Sequence, residues 1–255
     1  MTTPEAKKVE DFNFTTAHRV SYADIMIPST YVKGKPKIMG PGPNARYTAT
    51  FVIDPTPQMA TVDSKEIDMS DLGRLKREVI KMLNAHNSTG KKLKIGRLTE
   101  EQEQASSHVE VQVPWKDGSK EADKIKAKGK DGEVFRGQTL LKASSKYQPA
   151  LAAIENKQIV EFTTEEAIAA AKKFFYSGAY MVPSVGLHWY KGDEGKPDGV
   201  SLYLNGVLFA KHGPRLGGRT QNAAETFKGY IGQISQEDPT GGYAAENELD
   251  DEILF

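Results

Sequence analysis

Two stretches of alternating side chains, AYMVPSVGLHWY at 179–190 and GVSLYLNGVLFA at 199–210, decide the fold of this chain. Both are rich in the β-branched and aromatic residues that favour strands. The segment between them, KGDEGKPD at 191–198, is polar and contains the glycine and proline residues typical of a turn. The two stretches therefore predict a long β-hairpin and, with it, a β-rich protein.

Shorter patterns on both sides of the hairpin predict the remaining elements. Further strands are expected at His18–Ile27 (ended by Pro28), Arg46–Ile53, His108–Val113, Gly137–Ser145 and Ile159–Phe162. A first helix is predicted at Asp71–His86, because apolar residues recur there at spacings of three and four after the N-cap Ser70. Thr163 followed by Glu166 forms a capping box that opens a second helix, reaching to about Phe175.

These elements predict one mainly β domain with two helices, a β-rich α+β fold. The domain is expected at 14–232, after a flexible N-terminus at 1–13 and before a disordered acidic tail at 233–255. Within the domain, the charged and glycine-containing segment 116–133 carries five lysines after Lys116 and is predicted to be a mobile basic loop.

The zero net charge of the 255 residues hides a strong asymmetry along the chain. Residues 237–255 contain seven acids and no lysine or arginine, so the other 236 residues hold 34 basic and 34 − 7 = 27 acidic residues. A body of charge +7 therefore carries a tail of charge −7. A basic body attracts polyanions, and an acidic tail often serves as an interaction segment.

Several classes of protein are disfavoured by what the sequence lacks. It has no cysteine, which excludes disulfides, thiolate zinc sites and cysteine nucleophiles and favours a reducing compartment. No apolar run reaches membrane-spanning length, so no membrane association and a cytoplasmic location are expected. The segment GPGPNA at 40–45 lacks the helix that a dinucleotide loop requires, and the five histidines show no metal-binding spacing. No cofactor, metal or catalytic residue is expected, although abundant carboxylates leave a hydrolase open.

Aromatic residues interleaved with basic residues on predicted strands are the main functional signal. Single-stranded nucleic acid exposes base faces that stack on rings, and its phosphates need lysine or arginine within reach. The candidates for base stacking are Tyr47, Phe51, Tyr147, Trp189 and Tyr203. The candidates for phosphate contacts are Arg46, Lys142, Lys146, Lys211, Arg215 and Arg219.

The last six residues, Asp250-Asp251-Glu252-Ile253-Leu254-Phe255, are a second signal. Three acids followed by three apolar residues form a compact ligand, because the terminal ring fills a pocket while the acids and the terminal carboxylate meet a basic rim. A frayed terminus without a partner is the alternative.

With these residues in view, the chain resembles phage single-stranded-DNA-binding proteins of the OB-fold class. The resemblance is strongest at Gly199–Val207 and Gly213–Arg219, and it extends through Arg19–Ala23, Tyr47–Phe51, Pro114–Gly118, Gly137–Ser145 and Tyr176–Tyr180. The tip is similar to the acidic tips of bacterial and phage single-strand-binding proteins. One departure is the segment 55–107, a long helical insertion that a minimal OB fold lacks.

The resemblance implies an OB-type barrel that coats single strands without sequence preference and without catalysis, in phage DNA replication and recombination. It also implies that the tip recruits replication proteins such as a polymerase or a helicase, in the cytoplasm of an infected host cell, with a homo-oligomer as one possible state. Two other functions stay open at this point: a metal-dependent nuclease or other nucleic-acid enzyme, and a protein–protein assembly module that ignores DNA.

Overall fold

The hairpin predicted from the sequence is formed by β13 (Tyr180–Tyr190) and β14 (Asp198–Lys211), which pair antiparallel along their length. The computed structural model describes residues 10–31, 37–193 and 195–216. All of them belong to a single unit that spans Met1–Leu216.

The other strands precede the hairpin, and β2 is the longest of them. They are β1 (Glu10–Asn13), β2 (His18–Thr30), β3 (Ile38–Met39), β4 (Arg46–Ile53), β5 (Met59–Val62), β6 (Lys65–Asp68), β7 (Lys92–Ile95), β8 (His108–Gln112), β9 (Trp115–Asp117), β10 (Thr139–Ser145), β11 (Ala150–Glu155) and β12 (Gln158–Glu161). The helices of the described residues are α1 (Asp71–His86), α2 (Glu100–Gln104), α3 (Gly118–Lys126) and α4 (Glu165–Ala170), with 3-10 turns at Glu133–Phe135 and Ala171–Lys173.

Five strands close on one another in the order β2, β4, β10, β14, β13 and back to β2. The contacts are antiparallel except between β10 and β14, which run parallel. A closed five-stranded sheet of this kind is an OB-type barrel, and closure leaves these five strands no free edge within it. The OB-type fold expected from the resemblance is confirmed.

The core fills the barrel and continues onto α1. Alternation along each strand sends every second side chain inward, so Phe51, Leu141, Met181, Leu187 and Leu204 are almost fully buried together. Helix α1 adds its apolar face to the same cluster with Leu72, Leu75, Val79 and Leu83. Burial of a side chain of this size stabilises the fold by roughly 1.5–3 kcal/mol.

Asp71, the first residue of α1, ties the start of the barrel to this helix. Its carboxylate accepts hydrogen bonds from the backbone N–H and the hydroxyl of both Thr15 and Thr16, at 2.6–3.1 Å. His18 Nε2 lies 3.4 Å and Arg74 Nη1 3.2 Å from its oxygens. Burial alone raises the pKa of Asp71, but the hydrogen bonds from His18, Thr16 and Thr15 outweigh it and hold this pKa well below its ordinary value.

The long insertion lies between β4 and β10 and includes the predicted helix with its predicted bounds. In the described residues it also contains the separate two-stranded sheet of β5 and β6, and β7, which pairs parallel with β8. Strand β8 in turn pairs with the start of β14, so the insertion is joined to the barrel sheet.

The basic segment 116–133 was predicted to be a mobile loop, and the structure corrects this prediction. Asp117 caps α3 by accepting a hydrogen bond from Ser119 N at 2.8 Å. Ala122 of α3 and Phe135 of the following 3-10 turn bury themselves on the outer face of the barrel, against Val52 and Leu140. The lysines cover the solvated side of the helix and mask its apolar spacing in the sequence.

The predicted flexible N-terminus is also corrected for residues 10–13, which form β1 against β13, with Phe12 buried. Strand β2 continues past Pro28 to Thr30, because its pairing with β4 is interrupted between Asp24 and Ser29 and no ladder bond is lost at the proline. Helix α4 begins one residue late, capped by Thr164, whose hydroxyl accepts from Ala167 N at 3.2 Å.

Candidate nucleic-acid interface

The outer face of the barrel at β4, β10 and β14 carries polar, basic and aromatic side chains where the inner face is apolar. On β10, Lys142 and Ser144 alternate with the buried Leu141 and Ala143. The cross-strand pairs Lys142 with Thr50 and Ser144 with Thr48 join β10 to β4. We call this face the outward strip, formed by Arg46, Thr48, Thr50, Lys142, Ser144 and Tyr203, with Lys146 and Tyr147 directly after β10.

The cations of the outward strip have no acidic partner among the residues that the structure describes. Lys142 and Lys146 are exposed and Arg46 is half-buried. Within the described part of the chain, none of the three forms an ion pair with a carboxylate. Their positive charge is therefore available to an anion from outside the described residues.

Three of the predicted rings differ in exposure and in the face that they occupy. Tyr147 is 81% exposed, and its backbone N–H donates to Ser145 Oγ at 3.1 Å. Tyr203 is half-buried beside Ser144 and meets the His188 ring edge-on, with 5.4 Å between the ring centroids. Tyr47 is half-buried at the start of β4, on the inward side of the alternation with Ala49, so it does not belong to the outward strip. Tyr147 and Tyr203 remain candidates for stacking on this face.

Two other sequence-predicted stacking residues also lie outside the outward strip, and the prediction for Phe51 is corrected. Phe51 is fully buried in the barrel core, because its position on β4 points inward, so it offers no face to a ligand. Trp189 is half-buried against the core, and the His86 ring of α1 stacks on it with 4.4 Å between centroids. The sequence did not indicate which face of its strand each ring occupies.

The remaining predicted phosphate contacts do not join the outward strip. Lys211 and Arg215 lie at the far end of β14, where Lys211 Nζ is 4.6 Å from the centroid of the Tyr180 ring and Arg215 Cζ is 4.3 Å from that of Tyr176. Arg219 and the tip residues Asp250, Asp251, Glu252, Ile253, Leu254 and Phe255 lie outside the described residues.

Two exposed rings were missed by the sequence reasoning, Tyr31 directly after β2, 74% exposed, and Tyr22 within β2. Tyr22 is 50% exposed and has a positive φ of 50° at a register shift between β2 and β4. Its ring lies parallel to that of Phe135, with 6.4 Å between centroids, and partial burial followed by the charge of Glu121 raises its pKa. Bulges re-aim side chains in this way, and no signal in the sequence of β2 marks the bulge.

In the part of the chain that the structure describes, no three histidine or acidic side chains cluster in a way that could hold a metal ion. None of the helices in that part has the length and apolarity needed to cross a membrane.

A protein-family model matches most of the chain. The model described as "Enterobacter phage Enc34, ssDNA-binding protein" matches residues 72–239. This range covers more than half of the chain, including α1 and the barrel strands from β10 to β14. No curated protein sequence matches the chain.

Solved structures of two phage proteins are similar to the chain. The single-stranded DNA-binding protein from bacteriophage Enc34 in complex with ssDNA is 14% identical, with a TM-score of 0.46, covering 79% of this chain and 87% of the other. The gp2.5 single-stranded DNA binding protein encoded by bacteriophage T7 is 15% identical, with a TM-score of 0.44, covering 93% of this chain and 100% of the other.

Proposed function

The chain belongs to the Enc34 family of phage single-stranded-DNA-binding proteins, and from that membership we propose that it binds single-stranded DNA without sequence preference. The family match over residues 72–239 is the observation that carries this proposal. The outward strip supports it independently, because it offers unpaired cations next to exposed or half-exposed rings on one sheet face.

Each part of the outward strip has a role in this proposal. Lys142, Lys146 and Arg46 neutralise phosphates and release counterions, which makes the affinity depend on salt. Tyr147 and Tyr203 stack on bases, and every base has a π face, so the binding tolerates any sequence. The hydroxyls of Thr50 and Ser144 lie next to Lys142 and suit hydrogen bonds to the sugar–phosphate backbone, whereas the hydroxyl of Thr48 donates to Asp24 Oδ2 at 3.3 Å.

The cellular role that we propose is the protection of unpaired strands during phage DNA replication and recombination, without catalysis, in the cytoplasm of the infected host cell. In this role the protein keeps single strands extended and accessible. The acidic tip at 250–255 recruits a replication protein such as a polymerase or a helicase through its terminal ring and carboxylates. Released from the basic body when DNA binds, the tail becomes available to that partner.

A salt titration tests the binding proposal. Fluorescence anisotropy of a labelled oligothymidylate, longer than the roughly 4–16 nucleotides that one OB fold covers, is read at several salt concentrations. The double variant Lys142→Gln/Lys146→Gln removes two phosphate contacts, and since each contributes about 0.7 to the slope for single strands, the slope of log K against log salt falls by about 1.4.

The matched control removes two other exposed lysines. Lys65→Gln/Lys91→Gln makes the same charge change in the insertion, away from the outward strip, and leaves the slope unchanged. A chain that binds no oligonucleotide at low salt would refute the proposal and favour a protein-only assembly module. Cleavage of the labelled strand with magnesium or manganese would favour a nuclease instead.

A further inference from the structure

A second group of cations and rings lies where β13 begins and β14 ends. Three cations each sit over an aromatic ring: Lys173 Nζ is 5.1 Å from the centroid of Phe174, Arg215 Cζ 4.3 Å from that of Tyr176, and Lys211 Nζ 4.6 Å from that of Tyr180. The three cations are exposed and the three rings are partly exposed. We call these six residues the cation–ring cluster.

In the described part of the chain, the charge of the cation–ring cluster is not balanced by ion pairs with acidic side chains. Among the described residues, no carboxylate forms an ion pair with Lys173, Lys211 or Arg215, whereas Lys37, Arg74 and Arg136 are each paired. Arg19, which pairs with Tyr180 across the sheet, adds a fourth cation without a carboxylate partner. Its guanidinium donates to the backbone oxygen of Pro214 at 2.9 Å. Four uncompensated cations in one place suit a polyanion.

The backbone holds the cluster in place. Residues 213–216 are fastened to the turn before β13, since Tyr176 Oη bonds to both the oxygen and the N–H of Gly213 and Leu216 N donates to Ser177 O at 2.8 Å. Gly178 has a φ of 114°, and a Cβ there would clash with the backbone oxygen of Pro214, so only glycine allows this close approach. Arg215 is thereby positioned over Tyr176 before any ligand binds, which lowers the entropy cost of binding.

The cation–ring cluster lies along the barrel from Arg46 and Tyr203 of the outward strip. Arg19, at the start of β2, pairs with Tyr180 of the cluster and with Val52 of β4, whereas Ser29, near the end of β2, pairs with Arg46. Val52 and Arg46 are six residues apart on β4, and Tyr180 and Gly186, the partners of Lys211 and Tyr203, are six residues apart on β13, so each distance is roughly 20 Å at about 3.3 Å per residue. Lys142 lies nearer to the cluster, because its partner Thr50 also pairs with Ser21 of β2.

We infer that the cation–ring cluster is a second surface for single-stranded DNA, which holds the part of a long strand that extends beyond the outward strip. This inference rests on the proposed function. Lys211 and Lys173 neutralise phosphates, and the guanidinium plane of Arg215 offers its free face to a base. A short oligonucleotide occupies the outward strip alone, and a long one reaches both surfaces.

Oligonucleotides of two lengths test this inference on the full-length chain. Anisotropy is measured with an oligothymidylate of about 6 nucleotides and with one of about 30, on either side of the range for one OB fold. In Lys211→Gln/Arg215→Gln the short strand binds within about twofold of the wild type, whereas the long strand loses about 1.4 of its salt slope and binds about 25-fold more weakly near 0.1 M salt.

Two further variants keep the result interpretable. Lys173→Gln/Lys211→Gln leaves Arg215 on Tyr176 and gives the same loss for the long strand, so a disturbed 213–216 segment does not explain the effect. In Lys142→Gln/Lys146→Gln both strands bind more weakly. Cluster variants that bind both lengths like the wild type, or that weaken both equally, overturn the second surface while the proposed function stands. If no variant or wild-type chain binds either strand, the proposed function itself fails.

Discussion

Replacement of Tyr147 by alanine tests whether an exposed ring of the outward strip stacks on a base. The side chain is 81% exposed, and the hydrogen bond at this position comes from the backbone N–H, which alanine retains. The stability of the fold should therefore change by less than about 0.5 kcal/mol. The loss of one stacked base costs about 1–3 kcal/mol, which is roughly a 5- to 150-fold increase in Kd.

The assay combines anisotropy with a labelled oligothymidylate and thermal unfolding of the same samples. Tyr147→Phe keeps the ring and should bind like the wild type. Ile154→Ala removes another exposed apolar side chain, 58% exposed on β11, and should leave the affinity unchanged. If Tyr147→Ala binds as tightly as the wild type, or if the control on β11 loses as much affinity, the assignment of Tyr147 to base stacking is refuted.

Three more predictions concern the core, the Asp71 cluster and the tail. Phe51→Ala should destabilise the fold by about 3–5 kcal/mol in urea unfolding, because it empties a fully buried site; an unchanged midpoint would contradict the inward placement of this ring. Because folding lowers the pKa of Asp71, its carboxylate stabilises the fold above the unfolded-state pKa of about 3.9, and this stability is lost as the pH falls below that value. Asp71→Asn should therefore be less stable than the wild type near pH 7 and lose less stability on acidification. Parallel profiles of unfolding free energy against pH for the two proteins would argue against this. Deletion of residues 237–255 should raise the affinity for single strands, most strongly at low salt, where screening is weakest. Deletion of Phe255 alone should leave DNA binding unchanged and abolish capture of a replication protein. Equal affinities at low salt with and without residues 237–255 would refute competition between the tail and DNA for the basic body.

Regular periodicity made much of the fold predictable from the sequence. Helix α1 and strand β4 have the predicted bounds, because their apolar spacing comes from packing against one core. The hairpin of β13 and β14 was predicted to within a residue or two. Helix α3 was missed because its lysines outnumber the few apolar residues that pack on Val52 and Leu140.

The candidate site was less predictable, because it depends on which face of a strand points outward. Tyr147 and Phe51 are both aromatic residues near basic ones, yet one is almost fully exposed and the other is buried. The face that a residue occupies follows from the pairing of distant strands, and a one-residue shift such as the bulge at Tyr22 changes it. The separation of Lys211 and Arg215 from the outward strip likewise follows from barrel closure and has no signal in the sequence.

Photo-cross-linking tests the central claim most directly, since it reports which side chains touch the bases. A single-stranded oligonucleotide that contains 5-iododeoxyuridine is irradiated with the full-length chain, and the adducts are mapped by mass spectrometry. The account predicts adducts at Tyr147 and Tyr203, which decrease as salt is raised. Adducts confined to residues outside the outward strip and the cation–ring cluster, with none at these two tyrosines, would contradict it.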